Sequence, residues 1–119
     1  GLFTPQERVE LITKSVAQYP NVKVDSGSGL LVDYCSKNKV DVIVKGLRAV
    51  TDFDYELQMS QMNLQLKGIE TLFMSTAPAH SFLSSSLVKE IGAYDGDISA
   101  YVPVQLVERI KSRLKEVQG

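Results

Sequence analysis

Three short stretches of this 119-residue chain hold side chains that could handle a phosphorylated ligand. Lys45-Gly46-Leu47-Arg48 sets two cations around a glycine. The glycine lets the backbone come close to a ligand, while Lys45 and Arg48 neutralise phosphate charge, Arg48 with a two-pronged fork. The plainer reading is a pair of solvated cations at a strand end. His80-Ser81-Phe82-Leu83-Ser84-Ser85-Ser86 brings three serines to a helix start. Free N–H groups, hydroxyls and the positive end of the helix dipole make an anion site there. The alternative is that Ser84 is an ordinary N-cap. His80 is the single histidine and reads as a bystander. Gly27-Ser28-Gly29-Leu30-Leu31 offers close backbone approach and two leucines to wall an apolar slot, or else a simple strand-to-helix turn.

Composition narrows the ligand. Thirteen basic and fourteen acidic residues leave a net charge of −1, which excludes a broad electrostatic grip on nucleic acid or a membrane surface. No run of about 18 apolar residues is present, so no spanning helix is expected. The stretch from Gly1 to Glu7 lacks the basic region and apolar core of a signal peptide. One cysteine, Cys35, cannot form an internal disulfide and fits a reducing compartment, so a cytoplasmic location is expected.

The elements that must position these stretches alternate. Thr4-Pro5-Gln6-Glu7 is a helix start with a cap, a proline at the first helical position and an acid three residues after the cap. Val9, Leu11, Ile12 and Val16 supply its apolar stripe. Val22 and Val24 predict a short strand, Leu30 to Lys37 a helix, and Val40 to Val44 a buried strand rich in β-branched residues. A long helix is expected from Asp52 to Leu66, a strand over Ile69 to Met74, a helix from Ser84 to Ile91, and a last helix from Pro103 to Val117. Its stripe is Leu106, Ile110, Leu114 and Val117. This order is the grammar of an α/β fold with a parallel sheet and flanking helices, in a single domain over 1–119. Ligands then belong beyond the carboxyl ends of the strands, where all three stretches fall.

At 100° per residue the long helix carries two apolar stripes. Phe53, Leu57 and Leu64 form one; Tyr55, Met59, Met62 and Leu66 lie on roughly the opposite side. A helix on a sheet needs one stripe, so the second must meet a partner, a ligand or another subunit. Glu56 and Asn63 share a flank between the stripes and point to a site.

The stretch Lys45-Gly-Leu-Arg-Ala-Val-Thr-Asp-Phe-Asp-Tyr-Glu-Leu-Gln-Met-Ser-Gln-Met-Asn63 closely resembles the phosphopantetheine adenylyltransferases, as does Ser81-Phe-Leu-Ser-Ser-Ser-Leu-Val-Lys-Glu90. The likeness covers essentially the whole chain and implies a Rossmann-like nucleotidyltransferase sheet. It implies transfer of an adenylyl group from ATP to 4′-phosphopantetheine, giving dephospho-coenzyme A and pyrophosphate in coenzyme A biosynthesis, with Mg²⁺ and in a homohexamer. Carried over by motif position, Gly46, Leu47, Arg48 and Glu56 contact ATP, with Arg48 stabilising its phosphates. His80, Ser81, Phe82, Leu83, Ser84, Ser85 and Ser86 wrap the adenine and triphosphate. Lys45 binds the phosphopantetheine side, Leu31 its pantetheine arm, and Asn63 lies near that channel. No metal ligand is assigned to the protein.

The family opens with a strand, a loop carrying an [H/T]-x-G-H signature, a helix and a second strand. None of these is in the 119 residues, and Gly1 matches a point just after that second strand. The expectation is a chain read from a point after the family's first two strands, which would turn over little or nothing only if the protein truly begins at Gly1. The alternatives are a non-catalytic module that binds nucleotide or coenzyme A, and a nucleotidyltransferase with another phosphate-bearing acceptor.

Overall fold

The structure is a computed structural model and describes residues 1–118. It forms two compact units: Gly27–Phe82, and a second that runs through Gly1–Ser26 and resumes at Leu83.

The Gly27–Phe82 unit holds helix α2 (Leu31–Lys37), strand β1 (Val42–Leu47), helix α3 (Val50–Lys67), strand β2 (Glu70–Ser75) and a 3₁₀ turn at Pro78–His80. β1 and β2 pair in parallel, with Val42 opposite Glu70 and Leu47 opposite Ser75. They form the one sheet among the described residues. The expected strand at Val22 and Val24 does not form. The Val22 N–H is taken by the Tyr19 carbonyl at 3.2 Å, a turn bond that withdraws it from any ladder. β1 also starts two residues later than the sequence predicts, because Val40 closes α2. Its N–H donates to the Cys35 carbonyl at 2.8 Å, and Lys39 takes a left-handed φ of 55°. That is a Schellman ending with lysine where glycine is usual.

α3 packs on both strands, and α2 packs on α3. Val32 and Cys35 of α2 meet Ile69, with Val40 and Ile43 packed against them, to make the core of this unit. Ile43, Lys45 and Leu47 of β1 are half-buried, whereas Val42, Val44 and Gly46 on the other face are exposed. The strand read as buried is therefore buried on one face only, and Val44 keeps 57% of its surface. α3 brings a second correction. Its covered face is Asp52, Glu56, Met59, Ser60 and Asn63, with Asn63 only 6% exposed. Apart from Met59, both apolar stripes stand to the sides of that flank and are exposed. Phe53 still reaches β2, edge-on to Phe73 with ring centroids 5.9 Å apart. Gly68, in the left-handed region at φ 68°, ends the helix.

The second unit is built from α1 (Pro5–Ser15), α4 (Ser85–Ala93), a 3₁₀ turn at Val104–Leu106 and α5 (Val107–Gln118). α1 opens as its sequence predicts. The Thr4 hydroxyl accepts from the Glu7 N–H at 3.1 Å, and Glu7 Oε2 accepts from the Thr4 N–H at 2.8 Å. Glu7 also accepts from Arg113 through Nη1 at 3.1 Å and Nη2 at 2.5 Å, and from Arg109 Nη2 at 3.2 Å. Both guanidiniums lie over the Phe3 ring, at 5.4 Å for Arg109 and 5.0 Å for Arg113. Arg113 also donates to the Leu2 carbonyl at 3.1 Å. One carboxylate thus fastens the N-terminal residues to α5. The Arg113 hydrogen bonds and the Thr4 N–H hold its pKa down, to about 2.

Ile98 and Leu114 are the buried side chains between α4 and α5. Of the stripe expected on α5, Leu106 and Ile110 are half-buried and Leu114 is buried, but Val117 is 66% exposed near the helix end. Gly92 is where the helices press closest, since a Cβ there would lie 2.7 Å from Leu114 Cδ1.

Two outcomes follow. A folded-state Glu7 pKa below that of the free side chain means its contribution is complete above about pH 4.5 and is lost as pH falls towards about 2. Denaturant midpoints should therefore drop across that window, and Glu7→Gln should lower the midpoint at pH 7 while flattening the drop. Gly92→Ala should destabilise the protein by about 1–3 kcal/mol, read by urea unfolding, because the buried Leu114 must leave its rotamer or the helices must part.

Candidate active site

The residues singled out on β1 sit inside the ladder, not in a loop beyond it. Lys45, Gly46 and Leu47 are the last three residues of the strand, and Arg48 is the first after it. Pairing continues one bond further, with the Thr76 N–H donating to the Leu47 carbonyl at 2.9 Å. Two strand ends are thereby held side by side at the edge where α/β sheets take ligands. Gly46 is on the exposed face. A Cβ built there would meet Thr76 Oγ1 at 3.7 Å, an ordinary contact. Packing within the chain does not by itself demand this glycine.

Lys45, on the covered face, aims its ammonium at α3. Its Nζ lies 2.7 Å from Glu56 Oε2, the two side chains being 33% and 24% exposed. That oxygen is sealed from solvent and makes no well-formed hydrogen bond; the Lys45 charge is what holds it. Arg48 Nε faces Asp52 Oδ2 at 3.5 Å. Two cations from the end of β1 and two acids from the start of α3 therefore form two neighbouring ion pairs. Asn63 follows Glu56 by seven residues and so shares its face of the helix.

Asp52 and Thr76 are the members of this edge that the sequence reading did not assign to it. Asp52 had a signal in its spacing, four residues after Arg48 and at a helix start. Thr76 had none, since its place depends on strand register.

Leu31 opens α2 and, with Leu30, is exposed, following Gly29 at φ 80°. The long stretch after β2 is divided. His80 ends the 3₁₀ turn, and the Ser81 hydroxyl donates to the Pro78 carbonyl at 3.0 Å. Phe82 is exposed and closes the Gly27–Phe82 unit. Leu83 to Ser86 belong to the other unit, where Ser84 accepts from the Leu87 N–H at 3.1 Å as the N-cap of α4. Ser85 and Ser86, both exposed, form the first turn of that helix, where backbone N–H groups have no intrahelical acceptor. Of the three serines, the first does the capping and the next two stand exposed in the first turn.

Residues 1–91 match the cytidylyltransferase-like family. A phosphopantetheine adenylyltransferase of Streptomyces coelicolor is 55% identical over 97% of this chain and 72% of its own length. That of Frankia casuarinae is 54% identical over 97% of this chain and 74% of its own length. The Thermobifida fusca protein of the same name is 50% identical over 98% and 71%. The chain belongs to the phosphopantetheine adenylyltransferase family. The family match takes in every candidate residue from Leu31 to Ser86. It also accounts for the α/β architecture, with its parallel sheet and flanking helices. No helix among the described residues is long and apolar enough to cross a membrane.

The division of labour among the serines can be read directly. Ser84→Ala should cost about 1 kcal/mol of stability through loss of the α4 cap. Ser86→Ala should leave the unfolding midpoint within about 0.5 kcal/mol of the original while weakening nucleotide binding, measured by titration calorimetry.

Proposed function

We propose that this chain catalyses adenylyl transfer from ATP to 4′-phosphopantetheine, the reaction that yields dephospho-coenzyme A and pyrophosphate in coenzyme A biosynthesis. The observation that carries this is identity of 50–55% to phosphopantetheine adenylyltransferases over 97% or more of the chain. A phosphate oxygen of 4′-phosphopantetheine attacks the α-phosphorus of ATP. The bond from that phosphorus to the bridging oxygen breaks, and pyrophosphate leaves with the electron pair. The chemistry requires no covalent enzyme intermediate. What the protein supplies is alignment and charge.

The residues divide that work by charge and place. Arg48, with five N–H donors, takes the triphosphate, and the backbone at Gly46 and Leu47 admits the nucleotide closely. Glu56 accepts from nucleotide donor groups. Ser85 and Ser86 offer hydroxyls and helix-start N–H groups, which suit phosphate oxygens. Lys45 holds the phosphate of 4′-phosphopantetheine, and the Leu31 side chain lies along its apolar arm, with Asn63 as a polar contact near it. His80 and Phe82 flank the adenine.

Magnesium would enter with the nucleotide. The described residues give it no cage of three or more His, Cys, Asp or Glu side chains. An ion held mainly by phosphate oxygens and water needs no such cage. We also infer a cytoplasmic homohexamer, supported by Tyr55 (64% exposed), Met62 and Leu66, three of the four residues of one α3 stripe that stand without cover.

The reaction is tested in reverse. Dephospho-coenzyme A, pyrophosphate and Mg²⁺ should give ATP, and Arg48→Ala should reduce the rate by about 10²–10³, the loss typical when one charge-stabilising donor is removed. Formation of ATP at an unchanged rate by Arg48→Ala would refute the role given to this residue. Saturable binding of dephospho-coenzyme A without ATP formation would favour the non-catalytic reading.

A further inference from the structure

The Lys45–Glu56 ion pair joins two residues that the proposed function sends to different substrates, and the inference drawn from it rests on that reading. In the structure each is the other's counter-ion, Nζ to Oε2 at 2.7 Å. The pair as a whole is neutral. A phosphate arriving at Lys45 therefore meets an ammonium whose charge is already matched, beside a carboxylate that repels it. The other cation at this end of β1, Arg48, faces Asp52 at 3.5 Å, so the arrangement of acid against base is repeated one residue-pair away. Glu56 Oε2, meanwhile, is sealed from solvent against the Lys45 ammonium. A carboxylate has more lone pairs than one ammonium fills, so a hydroxyl or amine of a ligand can compete for it.

These two observations point the same way: a cation neutralised by a neighbour, and a neighbour able to accept from a ligand instead. We propose that the Lys45–Glu56 pair couples the two substrates, with nucleotide donor groups taking over the Glu56 carboxylate and so freeing the Lys45 ammonium for the phosphate of 4′-phosphopantetheine. Glu56 is on this account a positioning residue for the second substrate, acting through Lys45. Because coupling between two sites is reciprocal, 4′-phosphopantetheine tightens nucleotide binding by the same factor. The pair straddles a strand and a helix of one unit, so the switch needs only side-chain rotation.

Titration calorimetry tests this with 4′-phosphopantetheine and with pantetheine, which lacks the phosphate. Each is titrated with and without an ATP analogue bridged by methylene between its α and β phosphates. In the unsubstituted protein the analogue should tighten 4′-phosphopantetheine roughly fivefold, the scale of one partly exposed ion pair. Glu56→Gln, isosteric and on a side chain that reaches solvent, should bind 4′-phosphopantetheine roughly fivefold tighter without the analogue. The analogue, raised to saturation, should then add less than twofold. Pantetheine should be indifferent to the substitution, and in a Lys45→Met background Glu56→Gln should change nothing further. Glu56→Ala should move affinity in the same direction as Glu56→Gln. Unchanged or weaker 4′-phosphopantetheine binding by Glu56→Gln overturns the inference alone, as does an equal gain for pantetheine. Absence of saturable 4′-phosphopantetheine binding to the unsubstituted protein overturns the functional reading beneath it.

Discussion

A carboxylate on the covered face of a helix must have a cation, and in this chain the cation comes from the neighbouring strand. Glu56 lies two turns into α3, with Lys45 of β1 beside it. Much of the Gly27–Phe82 unit is arranged around that need. α3 turns a mostly polar flank inward, which leaves its apolar stripes to either side, and β1 places a lysine on a face where an aliphatic residue would otherwise sit. A partly exposed ion pair contributes little net stability. The core of Val32, Cys35 and Ile69 supplies apolar burial in its place.

Local chemistry was legible in the sequence wherever a single segment decides it. The capping box at Thr4 and Glu7 forms as spelled, and so does the serine cap of α4, because each rests on contacts three residues apart. Lys45, Gly46, Leu47 and Arg48 were recognisable as candidate ligand contacts by residue type alone. Their position inside the ladder was not, since it depends on Val40 being used to end α2. The face of α3 that turns inward was misread for a related reason. Two opposed apolar stripes invite the assumption that one of them packs on the sheet, yet the flank that turns inward carries Glu56 against the Lys45 ammonium. Val22 failed as a strand because propensity cannot provide a partner. Thr76 was invisible because strand register is a non-local property.

The unit that begins at Gly1 follows a different logic. Its contacts across long sequence separation are charged, with Glu7 gathering Arg109 and Arg113 while Phe3 underlies both guanidiniums. Among its described residues, the buried apolar side chains are Ile98 and Leu114, beside the close approach at Gly92. A carboxylate shared by two arginines tolerates little substitution. Aspartate is shorter by one methylene, and glutamine lacks the charge that both partners require.

Cys35 is the one sulfhydryl in the sequence and lies almost wholly inside the small core of the Gly27–Phe82 unit. A thiol reagent reaches it when Val32 and Ile69 separate, and an intact core shields it. Its rate of labelling is therefore a clock for local opening of the segment that carries Lys45 and Glu56, read apart from the unfolding of the helices around Glu7. Ligands that bind the closed form of that segment slow the clock, so one buried atom converts substrate occupancy into a chemical rate.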